Sequence, residues 1–95
     1  MVRVIAVNYI KDEHIEAVKP LFREILEATN KEKGCIEYRL YEKEDEPGFY
    51  VFLEEWESME DLRAHFATEH FKRIVPQLGS FKSKDGAAWV MKEFK

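Results

Sequence analysis

Phe49–Phe71 reads FYVFLEEWESMEDLRAHFATEHF, and its period changes in the middle. From Phe49 to Trp56 the side chains alternate. Tyr50, Phe52, Glu54 and Trp56 share one face, and Phe49, Val51, Leu53 and Glu55 share the other. A period of two is a strand, and apolar residues on both faces predict one that is covered on both sides. Ser58 then stands three residues before Asp61, a capping box with Asp in the Glu/Gln place. Met59, Leu62 and Phe66 follow at helical spacing. Thr68 caps a second helical stretch whose apolar stripe is Phe71, Ile74, Val75 and Leu78, with Pro76 expected to break its later part.

Working outward, Val2–Ile10 is a strand. Val2, Val4 and Ala6 point one way and Ile5, Val7 and Tyr9 the other, while Asn8 interrupts the first face. A polar amide in such a run either pairs locally or faces a cavity. Asp12 is placed to cap a helix bearing Ile15, Val18, Phe22, Ile25, Leu26 and Thr29, with a kink or weakened turn expected at Pro20. Gly34 ends it. Cys35–Lys43 is a strand with Ile36, Tyr38 and Leu40 on one face, and Glu46-Pro47-Gly48 is a turn. Leu78–Gly86 reads as a loop and Ala87–Phe94 as the last strand. The order β-α-β-β-α-β predicts an α+β, ferredoxin-like sandwich in one domain, residues 1–95. Its helices cover one sheet face. The apolar second face predicts a homodimer with the two sheets packed together, closing into a barrel.

Composition narrows the partners. A net charge of -4 with only Lys82 and Lys84 in the densest basic stretch argues against nucleic acid. No run approaches a membrane span, and MVRVIAVNYI is too short and strand-like for a signal peptide. The single Cys35 excludes an internal disulfide and a Cys-rich zinc site, and reads as a small buried hydrophobe in a cytoplasmic protein.

The chemistry that remains is small. His65 and His70 are five residues apart, about 140° apart on one continuous helix, so the i,i+4 spacing of two helical metal ligands is missing and no metal site is expected. Glycine-rich phosphate loops and nucleophile elbows are absent. Proton transfer in an aromatic pocket is left. His65 lies at the edge of a buried stripe with Asp61 four residues earlier on the same face, where a carboxylate would hold the imidazole. His70 also borders the core. Each reads either as a general base or as a packed histidine. Trp56 is either core or a flat wall for a planar ligand.

GCIEYRLYE (Gly34–Glu42), P-x-F-x-x-F-x-E-x-W (Pro47, Phe49, Phe52, Glu54, Trp56) and H-x-x-x-x-H-F (His65, His70, Phe71) together resemble the antibiotic biosynthesis monooxygenase (ABM) domain family, and within it the quinol monooxygenase-like branch. Asn8 fits the family pattern; Lys33 departs from it, where a proline often precedes the Gly-Cys pair. The resemblance implies a dimeric α+β barrel with a pocket in each protomer for a small aromatic molecule. It implies oxygenation of quinols or polycyclic phenols with O2 as co-substrate and no cofactor. His65, His70 and Asn8 are the implied catalytic residues, and Trp56, Tyr38 and Glu54 the implied substrate-binding ones. Haem-degrading relatives fit less well, because their catalytic histidine falls near Val75 and their distinctive tryptophan near His65. An isomerase of a small metabolite and a non-catalytic ligand-binding module on the same scaffold stay open.

Overall fold

The computed structural model describes Met1–Lys95. Its elements are β1 (Val2–Ile10), a 3-10 turn (Asp12–His14), α1 (Ile15–Asn30), β2 (Cys35–Glu42), β3 (Phe49–Trp56), α2 (Met59–Phe66), α3 (Glu69–Gly79) and β4 (Lys82–Met91). The strands form one antiparallel sheet in the order β2-β3-β1-β4. This is the predicted ferredoxin-like topology.

The helices lie on one face of that sheet. Val18, Phe22 and Ile25 of α1, Leu62 of α2, and Ile74 and Leu78 of α3 meet Val4, Ile10, Tyr38, Tyr50, Phe52 and Trp56 in a single core. Phe22 packs against both Tyr50 and Phe52, with ring centroids 4.9 and 5.7 Å away. Arg73 of α3 ties the helical layer together by reaching Glu24 of α1 and Glu69 of its own first turn. Both expected caps form: Asp61 N–H donates to Ser58 Oγ at 3.1 Å and Phe71 N–H to Thr68 Oγ1 at 3.3 Å.

Four local expectations are corrected. Asp12 makes no side-chain cap; it enters the 3-10 turn that leads into α1. Pro76 does not break its helix, since α3 runs on past it to Gly79, whereas α1 continues through Pro20 as the single helix expected. Ile36 is 45% exposed, because a register shift between Cys35 and Glu37 turns it out of the buried face. The last strand starts at Lys82, and its pairing with β1 shifts twice, between Val7 and Tyr9 and between Tyr9 and Ile10. Its polar first half resembles a loop because it is an exposed sheet edge. Gly86 sits at the first shift. A Cβ there would lie 1.9 Å from Val7 O, so only glycine lets the two strands stay this close.

The other sheet face has no helix. Ile5 and Val7 of β1, Val51 and Leu53 of β3, and Trp89 and Met91 of β4 are in register across it, and Trp89 is 50% exposed.

Gly86→Ala is expected to lower the unfolding free energy by about 1–3 kcal/mol through overpacking. Gly79→Ala, where an added methyl meets nothing within 4 Å, should be neutral or stabilising by up to about 1 kcal/mol. Urea denaturation of the two variants tests the contrast, and equal effects would remove the close-approach explanation.

Candidate functional site

A cavity of about 450 Å³ opens between the sheet and the α2–α3 layer, beside β4. Val4, Ala6, Asn8, Tyr38, Phe52 and Glu54 supply its sheet wall. His65 and Phe66 come from α2, Phe71, Val75 and Leu78 from α3, and Gly86 to Val90 from β4. Most of the lining is apolar, so a ligand here leaves water behind. Asn8 reaches the cavity by strand parity: it shares its face with Val4 and Ala6.

Four of the six residues singled out from the sequence line this cavity: Asn8, Tyr38, Glu54 and His65. Trp56 and His70 do not. Trp56 is fully buried, stacks on His65 with centroids 4.8 Å apart, and donates from Nε1 to Glu54 Oε1 at 3.0 Å. It positions two cavity residues from behind. His70 stands on the outer side of His65, with ring centroids 6.3 Å apart.

Glu32 joins the two histidines. Its Oε2 lies 2.8 Å from His65 Nδ1 and 2.6 Å from His70 Nε2. A carboxylate only accepts, so Nδ1 of His65 and Nε2 of His70 carry the protons it receives. Nε2 of His65 is left with a lone pair. Burial holds the His65 imidazolium down, against the opposing pull of Glu32. Spacing along the chain assigns the orienting role to Asp61, but Asp61 is committed elsewhere: it accepts from Ser58 Oγ at 3.0 Å and packs against Gly34. Gly34 has φ +81°, which turns the chain sharply after Glu32.

Glu32 is hard to find from the sequence because it lies 33 residues from His65 and in a turn. One signal exists. An acidic residue just beyond the C-terminus of a helix opposes the helix dipole, which favours cations there. Helical spacing does not speak against a metal here either. α2 ends at Phe66 and α3 begins at Glu69, so His65 and His70 are not on one continuous helix. The ligand-capable atoms of Glu32, His65 and His70 all lie within 4.8 Å of one another.

The other titratable groups differ in role. Burial pushes Glu54 up to about 7, against the Trp56 hydrogen bond, and Glu32 adds to the rise. Burial, with Glu54 and Glu32 nearby, raises Tyr38 far above the ordinary phenol range, so it stays a protonated hydroxyl. Burial likewise raises Cys35 to about 11, which keeps it a thiol and removes it as a nucleophile near neutral pH.

A four-stranded antiparallel sheet with helices on one face and an apolar cavity between the layers defines a small α+β binding or catalytic domain. The chain belongs to the antibiotic biosynthesis monooxygenase family, whose sequence profile matches residues 1–77. A crystal structure of an antibiotic biosynthesis monooxygenase is 41% identical and superposes with a TM-score of 0.97, covering 100% of both chains. A conserved protein from Methanosarcina mazei Go1 is 32% identical with a TM-score of 0.93, over 98% of this chain and 92% of its own. The uncharacterized protein sll1783 of Synechocystis sp. is 30% identical over 83 residues, which is 87% of this chain and 56% of that protein. The chain spans just over half the length of the curated relatives it matches. No helix is long and apolar enough to cross a membrane.

Glu54 makes stability depend on pH. Its native value of about 7 lies above its ordinary 4.5, so the folded chain holds this proton more tightly than the unfolded one. The penalty for burying the carboxylate is absent below the unfolded value and grows as pH rises toward the folded value. Glu54→Gln, which keeps an acceptor for Trp56, should therefore gain stability over the parent between about pH 4.5 and 7, by about 3 kcal/mol at most. Urea titrations at pH 4.5 and pH 8 read it. A gap that stays constant with pH would place the carboxyl in water.

Proposed function

We propose that the protein oxygenates quinol-like or polycyclic phenolic substrates with O2, using no resident cofactor. The observation that carries this reading is a buried imidazole, aimed by a carboxylate, in the wall of an otherwise apolar cavity. Nε2 of His65 takes the hydroxyl proton of the substrate, and Glu32 stabilises the imidazolium that forms. The substrate anion passes one electron to O2. The two radicals join in a C–O bond, the peroxide takes up a proton, and loss of water leaves a carbonyl. For an anthrone this converts CH2 and O2 into C=O and H2O, so the substrate supplies all the reducing power. Asn8 donates its amide N–H to the substrate oxygen, and Tyr38 and protonated Glu54 are further donors to developing negative charge. The apolar walls keep out the water that would quench the anion.

Oxygen uptake with menadiol or an anthrone, measured above autoxidation, tests this. His65→Ala should lower the enzymatic rate about 10²–10⁴-fold, the usual worth of a positioned base. Glu32→Gln should lose less in rate than His65→Ala, because it removes orientation and charge but not the base. Uptake equal to autoxidation across a quinol panel would remove the oxygenase reading. Lys82 and Lys84 at the cavity rim favour one alternative, an isomerase of a small anionic metabolite on the same scaffold. Conversion of such a substrate without oxygen uptake would establish it.

The same reading includes a homodimer through the open sheet face. Support comes from the apolar residues in register there and from the exposed Trp89. Leu53→Glu, in the middle of that face, should shift sedimentation from dimer to monomer at micromolar concentration. A monomeric parent protein under the same conditions would overturn the dimer.

A further inference from the structure

We infer that Glu32, His65 and His70 form a binding site for one divalent cation of the zinc class, distinct from the cavity they adjoin. Three elements converge on it: the turn after α1, the end of α2 and the start of α3. Two imidazole nitrogens and one carboxylate oxygen are the donor set of three-ligand zinc sites that keep a fourth position open.

Charge points the same way. Glu32 has a side chain only 12% exposed and forms no ion pair with lysine or arginine; its partners are the two histidines. The carboxylate of Glu32 is thus faced by two ring nitrogens and by no lysine or arginine. A dication compensates its charge and uses all three donors at once.

The geometry needs small adjustment. At zinc-like bond lengths of about 2.0–2.2 Å, tetrahedral ligand atoms stand roughly 3.3 Å apart. The carboxylate oxygen now lies 2.8 and 2.6 Å from the two nitrogens. Each oxygen–nitrogen gap widens by about half an ångström, and the two nitrogens, which lie within 4.8 Å of each other, settle to the same spacing around the ion. His65 is 1% exposed and anchored by Trp56, whereas the side chains of Glu32 and His70, at 12% and 16%, give a path from solvent. The ion enters on the His70 side, away from the substrate cavity.

Occupation has a consequence that rests on the oxygenase reading. A cation on Nδ1 of His65 forces its proton onto Nε2. The ring then donates into the cavity and cannot act as a base. Zinc is an inhibitor in that case, and removing it with a chelator restores turnover.

The deciding experiment measures binding and needs no turnover. Chelator-treated full-length protein is titrated with Co2+, followed by its visible absorption, and with Zn2+ by calorimetry. One ion per chain is expected, with the intense visible bands of four-coordinate cobalt. Outer-shell changes alone cost about 10–100-fold in affinity, so loss of a ligand in His70→Gln or Glu32→Gln should weaken binding by about 100-fold or more. His14→Gln and Cys35→Ser, outside the cluster, should leave it unchanged. Circular dichroism confirms that the His70 and Glu32 variants remain folded. No stoichiometric binding, or binding that survives both ligand variants, would overturn the site. Loss in Cys35→Ser would move the ion elsewhere and overturn it equally. The titration reads the same whether or not the protein takes up oxygen, so failure of the oxygenase reading and failure of the metal site are told apart.

Discussion

A single carboxylate oxygen, Oε2 of Glu32, receives two imidazoles at 2.8 and 2.6 Å, and the arrangement of the helical layer follows from it. The interaction pins the end of α2 and the start of α3 to the turn that leaves α1. His65 could not be placed at the cavity wall with one defined nitrogen inward unless the other were held. Trp56 completes the clamp from the sheet side by stacking on the same ring. It also holds Glu54, so one indole positions both a basic and an acidic group. Four elements distant in sequence thus share one small electrostatic centre, with apolar packing around it.

Much of this was legible in the chain. Strand parity put Asn8, Tyr38 and Glu54 on the helix-facing side, because alternation is rigid once one face is known. The caps at Ser58 and Thr68 set the break between α2 and α3, and the apolar stripes set which way the helices face. Those signals are local. The link between Glu32 and the histidines is not local, and no periodicity marks it. Asp61 was the better candidate by spacing, yet the Ser58 cap and the tight approach to Gly34 claim it first. The polar start of β4 was hidden for a different reason. A strand with both faces in solvent has no apolar alternation to show, so Lys82–Gly86 reads as a loop until its partner is seen.

The same strand borders the cavity. β4 is paired only to β1, its pairing there shifts register twice, and Gly86 to Val90 line the cavity's edge. Chemistry and access therefore come from different parts of the fold. The buried groups sit on the well-packed side, near β3 and α2. The rim is set by a solvent-exposed edge, which can change without disturbing the core.

The two edges of the sheet also decide how copies of this chain can meet. An unpaired strand edge is a template for further strands, and proteins that avoid this blunt their edges with charge and bulges. β4 carries Lys82, Lys84 and Asp85 and its two register shifts; β2 carries Glu37, Arg39 and Glu42, with the bulge at Ile36. Edge-to-edge growth into a continuous sheet is thereby blocked at both ends. The open sheet face keeps its apolar residues in register, with Trp89 half exposed among them. In the proposed face-to-face dimer association would be self-limiting, since pairing of two such faces leaves no further apolar sheet surface and the blunted edges offer no template for fibres.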